Sequence, residues 1–202
     1  MTDIFERGTF HSYRITDSQL NEARRGAMLF SEGGRISSKT TIFISHKHQD
    51  LEDLKDIIGL LQHYYNADIY IDSMDTNMPQ KTCGDTAERI KKIITNCDKF
   101  ILLATDAAVE SKWCNWELGF GDAHKFKDNI ALFPMKERGI YDSKYKGNEY
   151  MQIYPFIAYY NGTERYRNGS PIKEGYYVCY KEENSRKITP LEDWLNNKRR
   201  ML

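Results

Sequence analysis

The chain has 202 residues, 40% hydrophobic and 13% aromatic, which suits one α/β domain with additions and is too small for two independent cores. Lys and Arg total 29 and Asp and Glu total 29, so no net field favours a polyanion, and nucleic acid is not an expected partner. Cys83, Cys97, Cys114 and Cys179 are spaced unlike a zinc knuckle or ribbon, nothing reads as a signal peptide, and no apolar run approaches the roughly 20 residues of a membrane helix. A soluble, cytoplasmic protein with reduced thiols is expected.

In chain order, Asp17 to Phe30 reads as an N-terminal helix, followed by a linker marked by Gly33, Gly34 and two serines, so residues 1–38 form an extension. Thr41-Ile-Phe-Ile-Ser45 is a buried-strand run. Leu51, Leu54, Ile57, Ile58 and Leu61 then recur at helical spacing behind Asp50, a fitting N-cap. Asp68 to Asp72 reads as a second strand, a polar loop carries Pro79, and a helix opens at Gly84. Phe100 to Ala104 is a third strand, and a helical stretch holds Trp113 and Glu117. Asn129 to Pro134 makes a fourth strand and Ile153 to Ala158 a fifth, where Pro155 argues for a sheet edge. This alternation predicts a doubly wound, five-stranded parallel sheet over residues 39–160. Beyond it, a Gly-, Arg- and Tyr-rich passage leads to an apolar run at Tyr176 to Tyr180 and a helix beginning near Pro190 with Trp194 on its apolar face. Residues 161–202 are expected to form an appendage packed on the core.

Open parallel sheets bind ligands beyond the carboxyl ends of their strands. After the first strand come Ser45, His46, Lys47, His48 and Asp50; after the second, Asp72; after the third, Thr105 and Asp106. In the stretch Ser111 to Gly121, Trp113 and Glu117 lie one helical turn apart on a shared face. A carboxylate beside a flat aromatic surface suits a nucleotide whose base stacks while a sugar carbon ionises, which predicts glycosidic-bond chemistry. Plainer roles compete with these. Trp113 and Trp116 also suit core anchors, Glu117 a solvated helix position, and Asp72 and Asp106 caps of helices or loops. His46, His48 and Asp50 stand together after a strand end, and no metal is expected there.

Three segments carry a resemblance to a known family. Ile42-Phe-Ile-Ser-His-Lys-His-Gln-Asp50 is similar to the first box of the Toll/interleukin-1 receptor (TIR) domain, and Asp72 through Gly84 resembles its second loop. Trp113-Cys-Asn-Trp-Glu-Leu118 resembles the segment that supplies the catalytic glutamate in bacterial TIR proteins that cleave NAD. The likeness runs from about Thr41 to about Ala158. It implies a flavodoxin-like sheet, NAD as substrate rather than cofactor, and Glu117 as the catalytic carboxylate. It also implies substrate-binding roles for Ser45, His46, Lys47, Asp50, Asp72 and Trp113. The stand-alone form is similar to the TIR proteins of Thoeris antiphage defence, which implies self-association and a cyclic ADP-ribose messenger passed to a separate effector. Two features depart from the family: the loop between Asp72 and Gly84 looks longer than usual, and the tail beyond Asn161 has no counterpart. A non-catalytic interaction module and a nucleoside or nucleotide N-glycosidase, deoxyribosyltransferase-like, are the alternative functions.

Overall fold

The computed structural model describes residues 1–32, 38–71, 84–125, 127–139, 152–183 and 185–197. Five parallel strands form its centre: β2 (Thr41–Ser45), β3 (Asp68–Ile71), β4 (Lys99–Ala104), β5 (Ile130–Lys136) and β6 (Phe156–Tyr160), in the spatial order β3-β2-β4-β5-β6. A short β1 (Phe5–Glu6) pairs in parallel with the end of β5. The order steps outward in both directions from β2 and β4, the flavodoxin-like arrangement of an α/β doubly wound sheet.

Strand runs such as Ile42-Phe43-Ile44 are wholly buried because the sheet is covered on both faces. Their period of two sorts them into two layers. Ile42, Ile44, Ile101, Leu103 and Phe133 pack against α2 (Leu51–Tyr65), whose Leu54, Ile57, Ile58 and Leu61 form one apolar stripe. Phe43, Phe100, Leu102 and Ala104 face the other way, towards α3 (Gly84–Asn96) and α5 (Lys112–Lys125), which supply Ile90, Ile94, Cys114 and Leu118. Asn66 in the left-handed conformation, φ 48°, ends α2. A single turn, α4 (Asp106–Glu110), precedes α5.

The N-terminal helix α1 spans Asp17–Ser31 and opens with a capping box in which Thr16 and Gln19 satisfy each other's backbone N–H groups. It lies against β3 and α3, where Phe30 stacks on Tyr70 at 4.5 Å. Ahead of it, the chain crosses α2 so closely that a Cβ on Gly59 would sit 1.7 Å from the Tyr13 carbonyl oxygen. Glycine is required there by proximity.

Three sequence expectations differ from the structure. Pro155 does not mark an edge: β6 lies between β5 and β7 (Gly175–Glu182), and the proline stands just ahead of it, its carbonyl accepting from Leu132 N–H at 2.9 Å. A proline before the first residue of a strand withholds no donor from the ladder. Residues beyond Asn161 extend the sheet itself, because β7 pairs antiparallel with β6 and β8 (Ser185–Pro190) pairs antiparallel with β7. Among the described residues, α6 (Leu191–Asn196) packs on a face, with Leu191, Trp194 and Leu195 joining the α2 layer, and Ile172 joins the opposite layer. Finally, Asp50 occupies the N-cap position of α2 without a side-chain capping bond. Its carboxylate is bound elsewhere.

Candidate active site

The strand ends and α5 bring Ser45 and Glu117 together. Helix α5 starts where the Ser111 hydroxyl accepts from Cys114 N–H at 3.4 Å. One turn beyond Glu117, Gly121 lets the helix settle on β4, since a Cβ there would lie 3.0 Å from the Phe100 ring. Glu117 therefore faces the sheet and is 1% exposed. The Ser45 hydroxyl, equally enclosed at the end of β2, donates to Glu117 Oε2 at 2.5 Å. A carboxylate held this way is fixed in direction, and its field is weakly screened because few waters surround it.

Cys114 lies in the same cluster. Burial pushes its thiol pKa up and the nearby Glu117 charge adds to this, against hydrogen bonds from Ser111 and Ser45. A thiol of that kind is not poised as a thiolate nucleophile. The His46 imidazole is pushed down to about 4, chiefly by burial, with the Arg24 cation of α1 also disfavouring its charged form and the Ile44 backbone and Asp50 opposing. His46 is thus neutral at physiological pH. Lys47 is exposed at the rim and leads into the short turn His48–Asp50.

Asp50 is wholly buried but is not joined to Glu117. One of its oxygens accepts from Thr105 Oγ1 at 2.6 Å and the other pairs with Arg7. Thr105 also caps α4, its hydroxyl accepting from Ala108 N–H at 3.1 Å. Trp113 is half-buried against the α3–α5 layer and stacks on Trp116, ring centroids 4.7 Å apart. Trp116, Phe120 and His124 continue the stack along the outer side of α5. Asp72 and the loop to Cys83 lie outside the described residues. A cavity of about 1060 Å³, lined by Phe5, Phe10, Tyr13, Tyr64, Tyr159 and Tyr176, sits in the α2 layer, on the face of the sheet away from Glu117.

A buried glutamate on the helix after the third core strand, bound to the serine that ends the first, coincides with a family match: residues 42–154, more than half of the chain, match the TIR domain. The chain belongs to the TIR domain family. It is also 27% identical over 121 residues to a "Probable 3' cyclic ADP-D-ribose synthase ThsB'" of Bacillus cereus (strain MSX-D12), with 58% of this chain and 60% of that relative aligned. The alignment thus spans about three fifths of the relative's length. Ser45, His46, Lys47, Asp50, Trp113 and Glu117 all fall inside the TIR match, whereas Arg7 does not. Arg7 has no sequence signal: a single arginine in a polar N-terminal segment becomes part of the strand-end cluster only through the fold.

Proposed function

We propose that this TIR protein cleaves the bond between nicotinamide and ribose in NAD, with Glu117 as the catalytic carboxylate. The observation that carries the reading is the Glu117 side chain itself, buried, ionisable and aimed by Ser45 at the carboxyl end of the sheet. The similarity to a relative named as a cyclic ADP-ribose synthase supports it.

The chemistry asks little of the protein. As the C–N bond breaks, its electron pair neutralises the pyridinium nitrogen, so nicotinamide departs without a proton donor. Positive charge develops on the ribose, and a preorganised carboxylate nearby stabilises that oxocarbenium-like ion. Ser45 acts by holding Glu117, while His46, Lys47 and Trp113 line the approach for ribose, phosphate or base; Asp50, expected from the sequence to bind substrate, is wholly buried with both carboxylate oxygens engaged and instead holds the strand-end turn. Asp72 is a further expected substrate contact. Water capturing the cation gives ADP-ribose and releases a proton. Capture by the substrate's own adenine nitrogen or a ribose hydroxyl gives a cyclic isomer, the product we favour, serving as an antiphage messenger to a separate effector in the cytoplasm. Self-association through TIR surfaces completes the site.

Incubating the protein with NAD and, separately, with deoxynucleosides tests this reading, with products resolved by chromatography and mass spectrometry over a range of protein concentrations. Nicotinamide together with a cyclic ADP-ribose isomer supports it. Base release from deoxynucleosides with NAD left intact assigns the site to an N-glycosidase instead.

A further inference from the structure

Arg7 lies outside the TIR-matched residues, yet its guanidinium reaches the same strand ends as Glu117 and Ser45. The backbone delivers it there: β1 runs along β5, and the Arg7 N–H donates to the Lys136 carbonyl at 2.9 Å. The guanidinium then pairs with Asp50, with Asp53 at 2.7 Å and with Glu137 at 2.8 Å. The next residue reinforces the contact, Gly8 N–H donating to Asp53 Oδ1 at 3.3 Å.

One side chain therefore joins the N-terminal segment, the end of β5 and the first turn of α2. Through Asp50 and Thr105 the connection reaches the corner between β4 and α4. Three carboxylates gathered in one place repel unless a cation sits among them. The fully enclosed Asp50 is the most demanding, because a buried charge deprived of its partner costs far more than the pair contributes. Without the guanidinium, the turn His48–Asp50 gains free energy by opening to hydrate its aspartate. That turn follows directly on Ser45, His46 and Lys47.

We infer that Arg7 is a positioning residue of the active site, holding the segment from Ser45 to Asp53 in the place from which Ser45 orients Glu117. The N-terminal extension is then part of the working enzyme, and the TIR-matched residues alone are an incomplete site. The inference rests on the proposed NAD cleavage for its kinetic consequence, though its structural part stands independently.

The test compares Arg7→Ala, Arg7→Lys and Asp3→Asn in the full chain. Asp3→Asn weakens the pair with Arg186, which anchors the same N-terminal segment on β8 away from the site. Arg7→Ala is expected to lower kcat for nicotinamide release about tenfold or more, with KM for NAD changed far less, as misplacement of a catalytic group does. Arg7→Lys restores part of the loss, and Asp3→Asn leaves both constants unchanged. Hydrogen exchange supplies a readout independent of NAD: in Arg7→Ala, amides of residues 46–53 exchange about tenfold faster or more while those of β4 keep their protection. Wild-type exchange over residues 46–53 in Arg7→Ala overturns the inference, as does faster exchange spread evenly over the whole molecule. If the wild-type protein releases no nicotinamide, the proposed reaction fails, and the exchange comparison alone decides whether Arg7 orders the segment.

Discussion

Removing a single oxygen from Ser45 isolates the contact on which the site depends. The Ser45 hydroxyl and Glu117 are each 1% exposed, and the bond between them is 2.5 Å long. A hydrogen bond to a charged group contributes about 1.5–3 kcal/mol, and truncating the donor leaves a carboxylate oxygen without it where little water enters. Ser45→Ala removes too little volume for a cavity of methyl size, so packing adds almost nothing to the loss. The expected destabilisation is about 2 kcal/mol, which for a chain of this size lowers Tm by about 4–8 °C. A carboxylate released from its fixed direction also loses preorganisation, and nicotinamide release is expected to slow by about 10- to 100-fold. Urea denaturation and steady-state kinetics measure the two effects. A double-mutant cycle with Glu117→Gln apportions them, because residues in direct contact show a coupling of at least about 0.5 kcal/mol. A Ser45→Ala protein as stable and as active as the wild type, with additive effects in the cycle, refutes the reasoning.

Gly121→Ala forces a methyl to 3.0 Å from the Phe100 ring and displaces α5, costing about 1–3 kcal/mol and lowering kcat through Glu117, whereas Gly119→Ala, with nothing within 4 Å, stabilises by about 0.5–1 kcal/mol; thermal denaturation of the two variants checks the contrast. Gly59→Ala cannot coexist with the Tyr13 carbonyl in its present place, so limited proteolysis is expected to cut within residues 1–16 of that variant and to spare the wild type. Because the His46 imidazole is held near pH 4 in the fold against 6.5 when exposed, the unfolded chain takes up the proton first as pH falls. Its contribution to stability is complete above about pH 6.5 and is lost progressively towards pH 4, and in His46→Gln the pH dependence of urea unfolding over that window is expected to flatten.

The central strands were legible because each is an unbroken apolar run, and a run buried on both faces leaves little alternative to a covered parallel sheet. Strand β8 was not, since Ser185-Arg-Lys-Ile-Thr-Pro190 is polar and largely solvent-facing, as an edge strand is. Pro155 reads as an edge signal because the sequence shows that a donor is missing without showing that the ladder begins one residue later. Ser45 and Glu117 could both be singled out as strand-end and helix residues, but their bond joins positions 72 apart in the chain and exists only once α5 lies on β4. Asp50 stands where a helix cap belongs, and local pattern predicts the cap. The fold gives its carboxylate stronger partners in Arg7 and Thr105, one of them 43 residues away.

The most direct test of the account compares nicotinamide release from NAD by the wild-type protein and by Glu117→Gln, at matched and increasing protein concentrations. The substitution keeps the shape of the side chain and removes its charge, so folding is preserved while the stabilisation of the ribosyl cation is lost. Release by the wild type, reduced about 100- to 1000-fold or more in Glu117→Gln, is the predicted result. Equal rates in the two proteins would contradict the assignment of Glu117. NAD left intact by the wild type at every concentration would contradict the reaction itself.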